Sequence, residues 1–487
     1  MPIDAQPTVT AQGVVETRSH INDRGLFWAL IALLCWAPLP IGSNRAWSMA
    51  ILVAWSQLLV LGAMYVWRRQ PALAMARLHQ FRWPIALLGA FVGLLWIQFM
   101  PLPEGILGLL SPETLAVEKG VARYTLSLDA SASERYFMLG YAYFSVFLVT
   151  LLTVRDGRRI DQLAGALVLN GLFQACLGIL LFSVGAAYRI FFTDIFHTRV
   201  IGSYVYHNHF AGYMEICLSV GIGLMLARLG AQPSRTGDWR NKAASALAFI
   251  LSPQMRLRVM LVVMVIALVL TRSRMGNTSF FAALLLVGLL SLLLSRRMAP
   301  ATVGLIFSLV IIDAAVIGTW VGLEKVVARI QETTLQNAPG SQEESVEQRL
   351  DVSRKTLDLI RDFPAFGTGG GSFYNAYVRY KNPAIPVYFD HTHNDYLEIA
   401  ADNGLIGVGL LSGFVLVSAA AALHVLRRRR SSVPRGMAFG TLMLITVLLI
   451  HSSVDFNLQL PANALTIVIV IAMGWCARAL PSHSPAG

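Results

Sequence analysis

The chain has 487 residues, of which 55% are hydrophobic and 14% charged, with a mean hydropathy of +0.59 and a formal net charge of +12. Those values exclude a disordered chain, a collagen-like fibre and a disulfide-stapled secreted module. An ordinary soluble domain carries about 25% charged residues; so little charge cannot cover a soluble globule of this size, and a polytopic membrane protein remains.

Twelve stretches are apolar over the ~20 residues that a bilayer crossing needs. Their cores are 26–43, 46–67, 83–103, 136–154, 160–183, 203–227, 257–272, 275–295, 300–322, 396–426, 437–456 and 462–478. The first reads as a retained helix, because no cleavage-like small-residue site follows it. The expected organisation is a short tail at 1–25, nine spans over 26–322, an extramembrane loop at 323–394, three spans over 395–478, and a tail at 479–487. The fold class expected is an all-α polytopic membrane protein of about 12 transmembrane helices with one large loop. No internal repeat is visible.

Orientation follows from the Lys/Arg bias of short loops. With the N-terminus inside, the inner segments hold 23 basic residues, among them Arg68, Arg69, Arg155, Arg159, Arg228 and Arg427 to Arg430. The outer segments apart from 323–394 hold eight. The positive charge is therefore mostly a topology signal, both termini fall inside, and no nucleic acid is needed to explain it. The four cysteines, Cys35, Cys176, Cys217 and Cys476, sit in apolar runs without metal spacing and read as small buried hydrophobes.

Two outer loops are long. The stretch 104–135 shows no clear pattern. The stretch 323–394 holds an expected amphipathic helix, with Val346, Leu350, Leu357 and Ile360 at helical spacing and Glu347, Arg349, Arg354, Lys355 and Asp358 opposite. It stops at Phe363-Pro364, since proline cannot continue the hydrogen-bond ladder. Next comes Phe366-Gly-Thr-Gly369-Gly-Gly-Ser-Phe373, which is either an anion-facing backbone or a flexible turn.

The polar clusters gather at span ends. His391-Thr-His393-Asn394-Asp-Tyr-Leu-Glu398 enters the tenth span. His207-Asn208-His209, preceded by Arg199, opens the sixth. Arg272-Ser-Arg274 lies between the seventh and eighth, and His451-Ser-Ser-Val-Asp455 closes the eleventh. Each alone reads as an interfacial anchor or a snorkelling side chain. Together they fall on the outer face, where Arg199, Arg272 and Arg274 run against the general bias and call for an anionic partner. The guanidinium fork suits phosphate. A metal site is disfavoured, because a His-x-His pair on a helix would not face one way. No Walker-type phosphate loop and no Asp-x-Asp pair are present, so a lipid diphosphate carrying its own activation is the anionic substrate expected.

At these residues the sequence resembles the O-antigen ligase/polymerase family of bacterial envelope glycosyltransferases. His393-Asn394 is followed by nine residues and then Gly404-Leu-Ile-Gly407, the spacing of the family's His/Asn/Gly motif. The Pro364…Gly367-x-Gly369 stretch, Arg272 with Arg274, and Arg199…Asn208 also look like the family. The resemblance implies an inner-membrane enzyme working at the periplasmic face without cofactor or metal. It would move a glycan from undecaprenyl diphosphate to a hydroxyl of an acceptor glycolipid or a growing glycan, inverting the anomeric centre. His393 would be the general base; an imidazole titrates near about 6.5 when unperturbed, which suits that work. Arg199, Arg272 and Arg274 would hold the diphosphate, with the choice between Arg272 and Arg274 open. Asn394, Gly404, Gly407, Asn208, His207, His209, His391, Glu398, His451, Asp455 and Gly369 would stand around them. Ligase is favoured over polymerase, and transfer to a periplasmic protein is a third variant. The rival of another class is a flippase, which would carry charge through the membrane midplane; here most span centres are apolar.

Overall fold

A computed structural model describes residues 21–118, 120, 123–185, 188–190, 193–195, 199–228, 252–294, 346–383 and 388–481. The described chain is helical apart from a short antiparallel hairpin, Tyr188–Ile190 with Thr193–Ile195. Among the described residues ten helices are long and apolar enough to cross a membrane: Ala46–Trp67, Arg82–Phe99, Ala130–Thr153, Gly157–Val184, His207–Arg228, Pro253–Leu270, Arg274–Leu294, Asp395–Arg428, Ser432–His451 and Pro461–Arg478. The expected first span is the shorter apolar helix Arg24–Trp36. The expected ninth span, 300–322, lies outside the described residues.

Helix His207–Arg228 is the axis of the bundle, buried along nearly its whole length, with Ser432–His451, Gly157–Val184 and Pro253–Leu270 packed around it. Glycine allows the closest approach. A Cβ on Gly223 would lie 2.5 Å from Gly436 O, and one on Gly440 would lie 2.8 Å from Ser219 O. Backbone-to-backbone packing of this kind holds helices together where the lipid is as apolar as the side chains. The outer helices turn apolar residues outward instead, as Ala46–Trp67 does with Leu58, Leu61 and Met64.

At one end of the bundle, arginines knit the helix ends. Asp23, buried, pairs with Arg155 at 2.9 Å and with Arg159. Arg77 donates to Leu151 O at 2.6 Å and to Val154 O at 2.7 Å, closing the orphan carbonyls of Ala130–Thr153. Arg228 forks onto Asp161 at 2.7 and 2.8 Å. Several of the residues read as topology signal thus also cap helices.

Several expectations change. The eleventh span ends at His451 rather than 456, which places Asp455 in the following turn. The first long outer loop, 104–135, is not patternless: it contains helices Glu104–Leu110 and Pro112–Val117, and the next span already begins at Ala130, capped by Asp129. Cys176 is exposed rather than buried, while Cys217 and Cys476 are buried. The amphipathic helix is present as Val346–Asp362, but its register differs. Val352, Thr356, Leu359 and Phe363 face the protein, and Leu350 and Leu357 are exposed. The chain packs the stripe that includes a threonine because Thr356 returns its hydroxyl to Val352 O at 2.8 Å and loses nothing by burial.

Helix Asp395–Arg428 is broken. Gly404 sits at φ 62°, ψ −176°, within what is otherwise one helical run of 34 residues. Residues 405–428 alone would rise ~36 Å, enough to cross a ~30 Å hydrocarbon core. The segment 395–403 is therefore free to be something other than membrane span, and Asp395, Glu398, Asp402 and Asn403 are all buried within the protein.

Candidate functional site

The site grows from the break. The glycine loop folds against it: Thr368 N donates to Ala401 O at 2.8 Å, Gly369 N to Asp402 O at 2.9 Å, and Leu405 N to Pro364 O at 2.8 Å. Gly371 N donates to Asp402 Oδ2 at 2.7 Å. Gln98, from helix Arg82–Phe99, pins both sides. Its Nε2 donates to Phe366 O and Asp402 O at 2.8 and 2.9 Å, and its Oε1 accepts from Gly370 N at 3.0 Å. The N–H groups of 367–372 are thus spent inside the protein. The loop is neither an anion cradle nor a flexible turn, and Gly369 belongs to the scaffold. A Cβ there would lie 2.0 Å from Ser127 Oγ.

At the start of the same helix, Asn394 is the N-cap. Its Oδ1 accepts from Tyr396 N and Leu397 N at 3.0 and 3.2 Å, and its Nδ2 donates to Ser453 O at 2.9 Å. Asp395 N donates to Ser452 O at 2.9 Å, and Asp395 Oδ2 accepts from Ser452 Oγ at 2.7 Å and Leu458 N at 3.2 Å. The helix start is thereby locked to the turn 452–458. His393 precedes the cap with φ 54°, a left-handed conformation uncommon for a residue with a side chain.

That turn carries Phe456, which sequence reasoning missed. His391 stacks on its ring at 4.2 Å between centroids, His393 meets it edge-on at 4.9 Å, and His209 meets it edge-on at 4.7 Å. Tyr206 stacks on it at 6.2 Å. The two histidines of the His-x-His pair lie before the helix, not on it, and they converge on one ring. Among the described residues no group of three or more His, Cys, Asp or Glu is arranged to hold a metal.

The cluster extends to the arginines. Arg199 Nη1 lies 2.7 Å from His207 Nε2. Asn208 Nδ2 donates to Tyr206 Oη at 2.8 Å. Arg349 Nη2, from the extramembrane helix, lies 3.5 Å from the same hydroxyl. Arg349 had been assigned only to a polar face, and no motif distinguished it. Val200 N donates to Leu270 O at 3.4 Å, which brings the 271–274 turn to this end of the bundle. There Thr271 and Ser273 are buried while Arg272 and Arg274 are both exposed.

Beneath the cluster lies a buried ionic network. His451 Nδ1 is 2.8 Å from Glu215 Oε2, and its Nε2 is 3.7 Å from Asp455 Oδ2. Glu215 also accepts from Ser279. Glu215 had drawn no notice in the sequence, being one acid in an apolar run. Asp455 lies in the turn outside the spans. Burial works against its charge, but the neighbouring His451 and His209 prevail and hold its carboxyl down at about 2. His391 is the opposite case. Burial disfavours its charge, yet Glu398, with Nδ1 at 2.6 Å from Oε1, holds it up at about 9.

Fold and site together define a multi-pass helical membrane protein that gathers histidines, carboxylates and arginines at one end of its bundle. Residues 259–412 match the family model described as O-Antigen ligase. Over that stretch the chain is similar to the O-antigen ligase family, as the His/Asn/Gly spacing had indicated, and the similarity supports a function of the O-antigen ligase/polymerase kind. The match takes in Arg272, Arg274, Arg349, His391, His393, Glu398, Gly404 and Gly407. It leaves out Arg199, His207 to His209, His451 and Phe456, which the fold brings to the same end. No curated protein matches the chain.

Proposed function

We propose that the protein is an inner-membrane glycosyltransferase that moves a glycan from undecaprenyl diphosphate to an acceptor hydroxyl at the periplasmic face, as an O-antigen ligase does. Both termini are then cytoplasmic, and the domains divide as the span pattern divides them. His393 takes the proton of the acceptor hydroxyl. Arg199, Arg272 and Arg274 hold the diphosphate and meet the charge that grows on it as the sugar leaves. The transfer needs no metal on this reading, and in-line attack inverts the anomeric carbon.

The observation that carries the reading is the convergence at one end of the bundle. Three elements far apart in sequence deliver His393, His391, His209 and Phe456 to one contact cluster, with Arg199 and Arg349 reached through His207 and Tyr206. A flippase calls for charge along a central path. In the described spans the acids nearest the middle, Glu215 and Asp402, still lie in the halves of their helices next to the cluster.

The test is His393→Ala, inserted at wild-type level, in a strain lacking the native gene. Transfer product should fall by at least about 100-fold, the scale of a lost general base. Product at the wild-type level sinks the assignment. Surface glycolipid from the deletion strain separates the variants: loss of every glycan-capped species fits a ligase, and accumulation of single-repeat caps fits a polymerase.

A further inference from the structure

Deprotonation of the acceptor uses one histidine of the His-x-His pair, His393. The other is the more tightly arranged. Glu398 stands one turn into the helix that Asn394 caps, and its carboxylate is fixed at three points. Oε2 accepts from Thr392 N at 2.9 Å and from Thr392 Oγ1 at 3.3 Å, and Oε1 meets His391 Nδ1 at 2.6 Å. The Glu398 side chain is 2% exposed, so its charge calls for a partner within reach, and His391 is that partner.

The His391 ring is held on two sides. Its Nδ1 edge is spent on Glu398, and one face lies on Phe456 with 19° between the planes. Yet the side chain keeps 29% exposure. Among the described residues the Nε2 edge makes no hydrogen bond. His393 stands against the same phenyl ring, edge-on, so Phe456 sets the relative position of the two imidazoles.

We propose that His391 is a second catalytic group, an imidazolium fixed by Glu398 that donates an Nε2–H hydrogen bond to the diphosphate oxygen leaving the sugar. The proposal rests on the lipid-diphosphate reading given above. In the step, the acceptor O–H loses its proton to His393 and the acceptor oxygen bonds to the anomeric carbon. The bond from that carbon to the diphosphate oxygen breaks, and its electron pair stays on the oxygen. His391 keeps its proton and shares it in a charge-assisted hydrogen bond. The proton on His393 passes to solvent afterwards. The two histidines divide the work, one accepting a proton and one answering the charge.

The charged and titratable groups around His391 support this division. Glu398 on the capped helix, Asp390 beside it in the loop, and Asp402 at the helix break all favour its charge. His393 and His209, across Phe456, are the opposing neighbours. With three carboxylates against burial, the ring stays protonated to about 9.

The experiment uses the full chain in proteoliposomes, with undecaprenyl-diphosphate-linked glycan and an acceptor glycolipid, read as single-turnover rate against pH. Glu398→Gln keeps the shape of the side chain and removes its charge. The wild type should hold its rate until pH approaches about 9, and Glu398→Gln should lose it near about 6.5, the ordinary imidazole range. His391→Gln should slow transfer by roughly 100-fold below about pH 9, the scale of one lost charge-stabilising donor, and the gap should close above it. A direct readout needs no turnover. The carbon-labelled His391 resonance, assigned by its loss in His391→Gln, should titrate near about 9 in the wild type and near about 6.5 in Glu398→Gln. A wild-type titration below about 7 overturns the proposal, as does a His391→Gln protein that transfers at the wild-type rate. Wild-type protein that transfers nothing overturns the glycan-transfer reading itself, and the resonance then reports the Glu398–His391 pair alone.

Discussion

Gly404→Ala should unseat the site while leaving its chemical groups untouched. Gly404 occupies φ 62°, ψ −176°, a region that side-chain-bearing residues enter only at a cost of about 1–3 kcal/mol. The new methyl would also lie 2.2 Å from Ala365 O and 2.4 Å from its carbonyl carbon. That carbonyl cannot simply retreat. It accepts from Ile406 N at 3.3 Å, and its neighbour Pro364 O accepts from Leu405 N at 2.8 Å. Parting them gives up two hydrogen bonds of about 1 kcal/mol each. The sum is roughly 3–5 kcal/mol.

Gly409→Ala is the control. It lies five residues further on in the same helix, and no heavy atom stands within 4 Å of the added Cβ. Alanine there should gain about 0.5–1 kcal/mol from helix propensity. Thermal unfolding in detergent, followed by tryptophan fluorescence, reads both. At about 2 °C per kcal/mol, Gly404→Ala should fall by about 6–10 °C and Gly409→Ala should rise by about 1–2 °C. If Gly404→Ala melts within about 2 °C of the wild type, the broken-helix account of the site is wrong.

The other expectations concern the ring and the charges beneath it. Phe456→Ala should lower transfer at least about tenfold, since each lost aromatic contact is worth about 0.5–1.5 kcal/mol and three histidines share that ring. Phe456→Leu should restore part of the rate, and a full rate in the alanine variant would remove Phe456 from the argument. Stability should be bounded by pH on both sides. Asp455, held down at about 2, contributes stability that is present above its ordinary value near 4 and lost as pH falls through about 2. His391, held up at about 9, contributes stability that is present below about 6.5 and lost as pH rises through about 9. The unfolding midpoint in detergent should therefore be flat between about pH 5 and 6.5 and decline outside that window, and His391→Gln should remove the alkaline decline alone. An alkaline decline that survives in His391→Gln would assign it to another group.

The membrane architecture was legible in the sequence because hydrophobic length is a one-dimensional property. Ten of the twelve expected spans recur among the described residues with ends moved by a few positions, and an eleventh appears as the shorter Arg24–Trp36. The His/Asn/Gly motif was legible because it is local. What stayed hidden depends on long-range contact. Glu215 became meaningful only when His451, 236 positions away, was found against it. Phe456 is one phenylalanine among 24 until three histidines are seen around it. Gln98 sat in an apolar run as a minor blemish, and it proved to pin the loop to the break. The register of Val346–Asp362 was misread because apolarity alone favoured Leu350 and Leu357, whereas burial went to a stripe whose threonine satisfies its own hydroxyl.

The break at Gly404 also explains how one helix serves two environments. A continuous helix entering from the site would carry Asp395, Glu398 and Asp402 straight toward lipid, where each charge is costly. Ending that segment at residue 403 and starting again at 405 lets the second segment cross the membrane alone. The first is then free to bury its acids against protein, where Ser452, His391 and Gly371 meet them. The glycine therefore separates a span from a site. The loop before it is glycine-rich for the same reason: Gly367 must pass the carbonyl of Asp402 with no room for a Cβ, which would lie 2.5 Å from that oxygen. Read this way, the Pro364–Gly371 stretch and the Gly404–Gly407 end of the motif are two halves of one joint. The histidines stand at its mouth because the joint fixes where the capped helix begins.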